Sequence, residues 1–393
     1  MNILVICQYY YPEPFRINDI CEELVRRGHS VTVVTGEPNY PEGKIYPGYE
    51  KHCKADEIIN GVKIHRCPII PRRSGMLFRF LNYFSYPISS GRFVRKLAGD
   101  YDVVFVNQLS PVMMAEAAIQ YAKKNRKQVV MYCLDLWPES LAAGGVKKSS
   151  AIYRIFHRIS GQIYRHMDRI LVTSQLFAPY LAQEFCIEPD RISYLPQYAE
   201  ELFTPEEHRY TEPFNLLFAG NIGAAQSVET VLRAAARLTD RPVRFHIVGG
   251  GTELERLRAL AEELMLSNVT FYGRRPLEEM PDYYRMADAM LVTRRADPVL
   301  SRTLPGKVQS YMAAGKPVIG AIDGETEQVI READCGFCGP AEDDAALAEN
   351  IRRFLCSADK RRMGENARAF YLAHFDREQF MDRLERFLIE VQQ

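Results

Sequence analysis

Short apolar segments alternate with amphipathic segments along the chain, and this alternation constrains the fold more than any other feature. In the first half, the apolar runs lie at 3–6, 30–35, 103–106, 129–132, 169–173 and 192–195. Helix-compatible segments separate several of these runs. Because continuous apolar strands joined by helices form parallel sheets that are covered on both faces, the pattern predicts a doubly wound α/β domain.

A second alternating series follows a polar, acidic and proline-bearing stretch at 196–213, which we interpret as a linker. The 393 residues suffice for two domains. We therefore predict two Rossmann-like domains with parallel sheets, residues 1–198 and 199–375, and a helix at 376–393 that crosses back to the first domain. Ligands of open parallel sheets bind outside the carboxyl ends of the strands, so we expect the site in a cleft between the two sheets.

The composition argues against several classes of function. Fifty basic and fifty acidic residues give no net charge, which disfavours a protein that binds nucleic acid through its overall charge. The nine cysteines are scattered and several lie in apolar runs, as is typical of reduced thiols in a cytosolic protein. Cys335 and Cys338 form a single CxxC motif, which we interpret as structural and not as a zinc or redox site.

The sequence also bears on cellular location. Its apolar runs fall short of the roughly 18 residues that span a bilayer, and the first residues lack the features of a signal peptide, so we expect a cytoplasmic protein. Between Glu57 and Asp100 there is no acidic residue, while eight lysines and arginines are mixed with aromatic residues. This composition suits the inner face of a membrane, and we predict peripheral membrane contact through 61–97. The alternative is a core-packed helix with a solvated basic face.

The segment 305–320, Pro-Gly-Lys-Val-Gln-Ser-Tyr-Met-Ala-Ala-Gly-Lys-Pro-Val-Ile-Gly, predicts a loop, a short helix and a strand. Its helix-compatible part, 308–314, lies between Gly306 and Gly315. The first turn of a helix offers unpaired N–H groups, and the Lys307 ammonium adds a positive charge beside them. The segment therefore predicts a phosphate site, and a helix that binds nothing is the alternative.

Glycine-bearing turns follow three apolar runs of the second half, at 218–226, 247–253 and 269–276. A strand, a glycine turn and a helix in succession bring the backbone close to a phosphate, and polar side chains in such turns can donate hydrogen bonds. Plain turns are the alternative. The candidate donor-binding residues in these turns are Gly220, Asn221, Gln226, Gly249, Gly251 and Arg274.

Two arginines follow the apolar run at 289–292. A guanidinium group fits paired phosphate oxygens, so Arg295, twelve residues before Lys307, is predicted to complete a clamp for a diphosphate. The alternative is a solvated loop arginine, which we favour for Arg294.

Together these motifs resemble the donor domain of GT-B-fold retaining glycosyltransferases of family 4. The resemblance is carried by Phe-Ala-Gly-Asn-Ile-Gly-x-x-Gln at 218–226, Val-Gly-Gly-Gly at 248–251, Val-Thr-Phe-Tyr-Gly at 269–273 and the segment 305–318. In the first half, the motifs at 8–14, 23–35, 38–44 and 135–140 are typical of the branch that makes bacterial surface polysaccharides such as O-antigen and capsule. The resemblance covers essentially the whole chain.

The resemblance implies a nucleotide-diphosphate sugar as the donor, with a UDP-sugar as the expected one. It implies that Arg295, Lys307 and the turn at Asn221 hold the diphosphate. The base would lie near Gly251 and Arg274.

The chain departs from the family pattern at two positions. Arg302 and Ser310 stand where the family carries two glutamates, of which the first usually touches the donor sugar and the second the ribose. The sugar identity and the ribose contact are therefore open. We predict that Gln309 or Ser310 hydrogen-bonds a donor hydroxyl.

The resemblance also implies roles for first-domain residues. Asp135 stands where many relatives have a histidine that faces the transferred sugar, and we predict it to be catalytic together with Arg295 and Lys307; an N-cap is the alternative. Arg16 is predicted to meet the donor phosphate. The predicted acceptor-binding residues are Glu13, Pro14, Asn39, Tyr40 and Trp137, although Trp137 is equally compatible with core packing.

The implied reaction retains the anomeric configuration, by same-face attack in which the leaving phosphate accepts the proton of the acceptor. Positive side chains and a helix N-terminus would stabilise the charge of the leaving diphosphate. Asp-x-Asp occurs once, at Asp100-Tyr101-Asp102, directly before the apolar run at 103–106. We predict a reaction without a metal or other cofactor, with cationic side chains in place of a metal. The expected acceptor is a glycan or a polyprenyl-diphosphate-linked saccharide, and no nucleic acid partner is expected.

Two other functions are compatible with the sequence. Sugar-nucleotide 2-epimerases share the two-domain architecture but need no acceptor. A non-catalytic nucleotide-sugar binding protein would account for the missing glutamates. A nicotinamide oxidoreductase is disfavoured, because no Gly-x-Gly-x-x-Gly follows the first apolar run.

Overall fold

The computed structural model describes residues 1–71, 76–143 and 145–392. It separates into two units, of which the first comprises Met1–Leu195 with Met381–Gln393, and the second comprises Pro196–Phe380. The sequence predicts these boundaries at 198 and 376. The first one lies earlier because Tyr198 packs on Phe380 within the second unit, with ring centroids 4.8 Å apart.

The first unit contains a sheet of eight strands among the residues described. In chain order these are Asn2–Ile6 (β1), Ser30–Gly36 (β2), Asp56–Ile59 (β3), Val62–Cys67 (β4), Val103–Gln108 (β5), Gln128–Cys133 (β6), Arg169–Val172 (β7) and Ile192–Tyr194 (β8). Their order in the sheet is β3-β4-β2-β1-β5-β6-β7-β8. The order reverses between β1 and β5, so the carboxyl ends of these strands form the switch point where ligands of such sheets bind.

All neighbouring strands of this sheet are parallel except β3 and β4, which the sequence analysis did not predict. The strand β3 lies at the sheet edge with half of its residues exposed, so it lacks a continuous apolar run. Asn60 and Gly61 join the two strands with φ values of 49° and 82°. An Asn-Gly pair with positive φ at both residues is typical of a tight hairpin, and this signal could have revealed the pair.

Helices cover both faces of this sheet, and their apolar stripes complete the core. They are Ile17–Arg26 (α1), Met76–Val94 (α2), Glu116–Asn125 (α3), Glu139–Ala143 (α4), Ala151–Arg165 (α5) and Phe177–Phe185 (α6). The strands β1 and β5 are buried along almost their whole length, as central strands of a parallel sheet must be.

The second unit contains six parallel strands in its described residues, namely Phe214–Ala219 (β9), Val243–Val248 (β10), Val269–Gly273 (β11), Ala289–Thr293 (β12), Val318–Ala321 (β13) and Gly336–Gly339 (β14). Their order is β11-β10-β9-β12-β13-β14, which reverses between β9 and β12. Its helices are Val228–Ala236 (α7), Leu254–Glu263 (α8), Met280–Met286 (α9), Gly306–Ala313 (α10), Glu325–Glu332 (α11), Asp344–Cys356 (α12) and Lys360–His374 (α13). The predicted Rossmann-like architecture of two parallel-sheet domains is confirmed.

The CxxC motif belongs to β14 and the turn before it. Cys335 is buried in the apolar core of the second unit, and burial raises the pKa of both the Cys335 and the Cys338 thiol. Such thiols behave as small apolar side chains.

No described helix combines the length and the apolar character needed to cross a bilayer. The basic stretch 61–97 divides between β4 and α2. In β4, Arg66 is buried and forms an ion pair with Glu57, so this cation is not available at the surface for the predicted membrane contact.

The last helix, Arg377–Glu390 (α14), returns to the first unit and is held there by a charge cluster. The Arg27 guanidinium donates to Asp382 at 2.7 Å and to Glu385 at 3.1 Å. His29 Nε2 lies 2.8 Å from the other oxygen of Glu385. Because Arg27 and Glu385 are both largely shielded from solvent, the cluster contributes more than an exposed ion pair would.

Replacing Glu385 by Gln removes the carboxylate that Arg27 and His29 share. We expect the free energy of unfolding to fall by about 1 kcal/mol, which is the upper range for partly exposed ion pairs. Urea unfolding followed by circular dichroism measures the change. Glu390→Gln, at an exposed position of the same helix, is the control; equal losses in both variants would show that the cluster adds nothing specific.

Candidate active site

Two glycine-bearing turns pack backbone to backbone at the carboxyl ends of β9 and β10. The Gly220 N–H donates to Val248 O at 2.9 Å, and the Ile222 N–H donates to Gly250 O at 2.8 Å. A Cβ on Gly249, whose φ is +148°, would lie 1.8 Å from Gly220 O, so only glycine fits this position. The turns therefore present bare backbone at the switch point of the second sheet.

Lys307, the second residue of α10, points into this glycine turn. Its Nζ lies 3.9 Å from the centre of the Phe218 ring, and a Cβ on Gly220 would stand 2.8 Å from the same atom. The side chain is half-buried overall, but its Nζ is enclosed and has no hydrogen-bond acceptor among the described residues. Burial, together with the charge of Arg294, lowers the pKa of Lys307 from 10.5 to about 7. An enclosed amine without an acceptor suits an anionic ligand.

The two arginines after β12 have different surroundings. The Arg294 Nη1 donates to Leu300 O at 2.7 Å, and its charge reaches Lys307. The Arg295 guanidinium lies 3.5 Å from Asp297 and is 37% exposed. The sequence favours Arg295 over Arg294 for the diphosphate, whereas it is the charge of Arg294 that helps to lower the pKa of Lys307. The role of Arg295 stays a prediction.

Three further predicted donor residues surround the glycine turns. Asn221 is exposed, and its Oδ1 lies 2.9 Å from the position of a Cβ on Gly251. The Arg274 Cβ lies 3.5 Å from the position of a Cβ on Gly250, and the arginine is exposed. Gln226 is tied to β12, because its backbone oxygen accepts a 2.6 Å hydrogen bond from the Thr293 hydroxyl. Thr293 was absent from the predicted site, although its position at a strand end was the available signal.

The structure does not support Gln309 as a donor contact. Its side chain is fully buried, because the helix turns this residue into the core of the second unit. Ser310 is also nearly buried, and its Oγ lies 3.4 Å from the Glu200 carboxylate. Glu200 lies 110 positions before Ser310 in the chain and becomes its neighbour only through folding, so no local signal in the sequence marks it.

In the first unit, Asp135 follows β6 and is held by a hydrogen-bonded chain. The Ser110 hydroxyl donates to the Asp135 carboxylate, and the Trp137 indole N–H donates to Ser110 Oγ at 2.8 Å. Asp135 is half-buried at the carboxyl edge of the first sheet. Ser110, at the end of β5, was not predicted and positions this carboxylate.

Trp137 itself is a core residue, which corrects its prediction as an acceptor contact. It is fully buried, and its ring meets Tyr83 and Phe156 edge-on at 5.6 and 5.2 Å. Such T-shaped contacts occupy the ring, so it offers no exposed face to a ligand.

Glu13 is also enclosed instead of facing an acceptor. Its Oε1 accepts hydrogen bonds from the backbone N–H groups of Asn39 at 2.8 Å and Tyr40 at 2.6 Å. Burial, which outweighs these hydrogen bonds, raises the pKa of Glu13 from 4.5 to about 7. Asn39 is buried as well, whereas the Tyr40 ring is 42% exposed. Glu13 therefore positions the loop that presents Tyr40.

Pro14 and Arg16 lie beside this loop. Pro14 is exposed, and Arg16 is half-buried at the start of α1. Their predicted contacts, with the acceptor and with the donor phosphate, stay predictions. In the part of the chain that the structure describes, no group of three His, Cys, Asp or Glu residues is arranged to hold a metal ion.

Both halves of the chain match families of glycosyl transferases. Residues 200–370 match the family model of the glycosyl transferases group 1, and residues 15–197 match the glycosyl transferase 4-like domain. The glycosyl transferase WcaI of Escherichia coli (strain K12), which is assigned to colanic acid biosynthesis, is 24% identical over 384 residues. This match covers 90% of the chain and 92% of WcaI.

Solved structures show the same fold. Sucrose-phosphate synthase from Thermosynechococcus elongatus superposes with a TM-score of 0.79 and 19% identity, covering 99% of this chain and 98% of that one. HepE from Anabaena, solved in complex with UDP-glucose, superposes with a TM-score of 0.71 and 16% identity, covering 99% and 100%. At these identities the likeness establishes the architecture.

The buried amine of Lys307 should reduce stability at neutral pH. Between pH about 7 and pH 10.5, Lys307 is protonated in the unfolded chain but not in the folded protein. The contribution of Lys307 to the free energy of unfolding is therefore lowest below pH 7 and increases as the pH rises. We expect Lys307→Met to raise the free energy of unfolding at pH 6 by about 1–3 kcal/mol and to remove this rise. Urea unfolding at acidic and alkaline pH measures the free energy of unfolding and its pH dependence, and Lys123→Met, at an exposed position, is the control. A Lys307→Met protein less stable than the wild type would contradict the prediction.

Glu13 should give the opposite pH dependence. Because its pKa is raised to about 7, the folded protein keeps a proton that the unfolded chain loses above 4.5, so stability falls as the pH rises through this range. Glu13→Gln keeps an oxygen for the Asn39 and Tyr40 N–H groups but cannot ionise. We expect its melting temperature to vary less between pH 5 and 7.5 than that of the wild type, by a few degrees. Glu42→Gln, exposed in the same loop, should behave like the wild type.

Proposed function

Because the chain is a GT-B glycosyltransferase with a group 1 domain and a 4-like domain, we propose that it transfers a sugar from a nucleotide-diphosphate sugar to a glycan or lipid-linked acceptor. The expected donor is a UDP-sugar, and the expected setting is the synthesis of a bacterial surface polysaccharide at the cytoplasmic face of the membrane. The expected outcome at the anomeric carbon is retention.

The observation that carries this proposal is the enclosed amine of Lys307, which lies beside bare glycine backbone and has no acceptor within 1–71, 76–143 and 145–392. A diphosphate supplies the negative oxygens that such an amine lacks, and bound there it would raise the pKa of Lys307 again. The first turn of α10 adds partial positive charge at the same place. These groups stabilise charge that develops on a diphosphate as the bond to the sugar breaks.

The other residues then take defined roles. Arg294, whose charge acts on Lys307, and Arg295, whose guanidinium is partly exposed, would share the remaining phosphate oxygens. In the first unit, Asp135 would face the transferred sugar, oriented by Ser110 and Trp137. The acceptor hydroxyl attacks the anomeric carbon on the face that the diphosphate leaves, and a departing phosphate oxygen takes its proton.

The relatives support the class of substrate. HepE was solved with UDP-glucose, which favours a UDP-sugar as the first donor to test. WcaI is assigned to colanic acid biosynthesis, which favours a polysaccharide or its lipid-linked precursor as the product. We further propose that no metal takes part, because cationic side chains stand where the diphosphate would bind. The Asp-x-Asp of the sequence, at 100–102, lies at the amino end of β5, where Asp102 accepts a hydrogen bond from the Asn2 N–H.

A non-catalytic sugar-nucleotide binding protein is the second candidate. It is favoured by Arg302 and Ser310 at the two positions where the family carries glutamates. It predicts that a donor binds but is never consumed, with any acceptor. An epimerase would instead convert the donor alone.

Calorimetric titration with a panel of UDP-, GDP- and dTDP-sugars, followed by transfer to polyprenyl-diphosphate-linked saccharides, tests the proposal. We expect one donor to bind. Lys307→Met should lower the affinity for this donor tenfold to a hundredfold, because a hydrogen bond to a charged group contributes about 1.5–3 kcal/mol. Lys123→Met should bind like the wild type. Comparing Arg294→Gln with Arg295→Gln shows which arginine holds the diphosphate.

NMR of the anomeric proton in donor and product, with and without a chelator, completes the experiment. Transfer with retention and without a metal is the expected result. An inverted product would refute the same-face mechanism, a loss of turnover with chelator would refute metal independence, and full donor affinity in Lys307→Met would refute the site.

A further inference from the structure

Two helices of the first unit expose large apolar side chains. On α2, Leu81, Phe84 and Ile88 follow one another at spacings of three and four residues, which places them on one face. On α5, Ile152 and Ile155 are 46% and 59% exposed. Single exposed apolar residues are ordinary, but several on adjacent elements mark an interaction surface.

An aromatic contact joins these two helices. Phe156 of α5 stacks on Phe80 and Phe84 of α2, with ring centroids 6.1 Å apart in both cases. Ile152 lies three residues before Ile155 and four before Phe156, so it neighbours both on the surface of α5. Through Phe156, these exposed residues adjoin the apolar face of α2. We define the α2–α5 surface as Leu81, Phe84, Ile88, Ile152 and Ile155.

The charged side chains on the two helices of this surface are all basic. The segments 58–99 and 140–167, which contain α2 and α5, hold no aspartate or glutamate. Arg154 and Arg158 are exposed on α5 beside the isoleucines, and Lys147 is exposed just before that helix. Two carboxylates from neighbouring helices contact α5: Glu184 pairs with His157 at 2.7 Å, and the buried Glu139 accepts a hydrogen bond from the Tyr153 hydroxyl at 3.1 Å. An apolar face bordered by cations is complementary to a surface of anionic headgroups over an apolar interior.

We propose that the α2–α5 surface docks on a bilayer containing anionic lipid. The five apolar side chains enter the boundary between headgroups and acyl chains, while Arg154 and Arg158 meet the lipid phosphates. The sequence predicts membrane contact through 61–97. In the structure α5 supplies two of the five apolar residues of the surface, whereas β4 supplies none, because its apolar side chains are buried. This inference depends on α2 and α5 only, and it holds whether or not the proposed reaction is correct.

Vesicle flotation tests the proposal with the full chain. We expect binding to phosphatidylcholine vesicles that contain phosphatidylglycerol, weaker binding at high salt, and little binding to phosphatidylcholine alone. Each cation near an anionic surface contributes about 1 kcal/mol, or roughly fivefold, so the double variant Arg154→Gln/Arg158→Gln should partition roughly thirtyfold less. Ile152→Ser/Ile155→Ser should also bind less, at low and high salt alike.

The matched control is Arg361→Gln/Arg362→Gln, which removes two exposed cations from α13 and should bind vesicles like the wild type. Wild-type protein that stays unbound at low salt would overturn the proposal, and so would equal binding by all variants. A dimer in analytical ultracentrifugation that the isoleucine variant abolishes, without vesicle binding, would assign the surface to a second copy instead. Donor titration of the same variants should match the wild type, which separates this test from that of the proposed reaction.

Discussion

Both sheets are covered by helices on two faces, and this burial decides where polar chemistry can take place. In β1, the side chains of residues 3–6 are completely buried, and β9 and β12 are buried almost as fully. Polar groups in such an interior must be hydrogen-bonded, and the sheet ladders already use the backbone groups of the strands. Charged and polar side chains are therefore admitted mainly where strands end. Asp135 after β6 and Arg294 after β12 both occupy such ends, and Lys307 reaches the end of β9 from α10.

Lys307 differs from these other polar residues because its charged group is itself buried and has no acceptor among the described residues. Its amine lies against the Phe218 ring and the Gly220 backbone, where burial depresses its pKa to about 7 and opposes its charge. A core that favoured stability alone would place an apolar side chain here. The positive charge of this amine is compensated only when an anion binds. The same desolvation therefore lowers the stability of the unliganded protein and raises its affinity for a phosphate. Stability and binding are therefore in conflict at this one residue.

In the first unit, buried polar side chains do not face a ligand themselves but hydrogen-bond and orient other residues. Trp137 is a core residue, yet its indole N–H holds Ser110, and Ser110 holds the carboxylate of Asp135. Glu13 is buried and fixes the loop that exposes Tyr40. Side chains that position others are hard to identify in a sequence, since their partners lie far away in the chain and no local pattern marks them. Their buried hydrogen bonds orient the groups that reach the surface.

The sequence by itself determined the two parallel-sheet domains, because buried strands and amphipathic helices carry their periodicity locally. It also located the glycine turns and Lys307, since a strand, a glycine turn and a helix are contiguous in the chain. Tertiary structure alone decided that Gln309 and Trp137 face the core, that Glu200 adjoins Ser310, and that the charge of Arg294 acts on Lys307. It also decided that α5 continues the apolar face of α2 through Phe156. The physical reason is that a strand or helix is specified by neighbours in sequence, whereas burial and charge proximity are specified by packing between segments that the sequence keeps far apart.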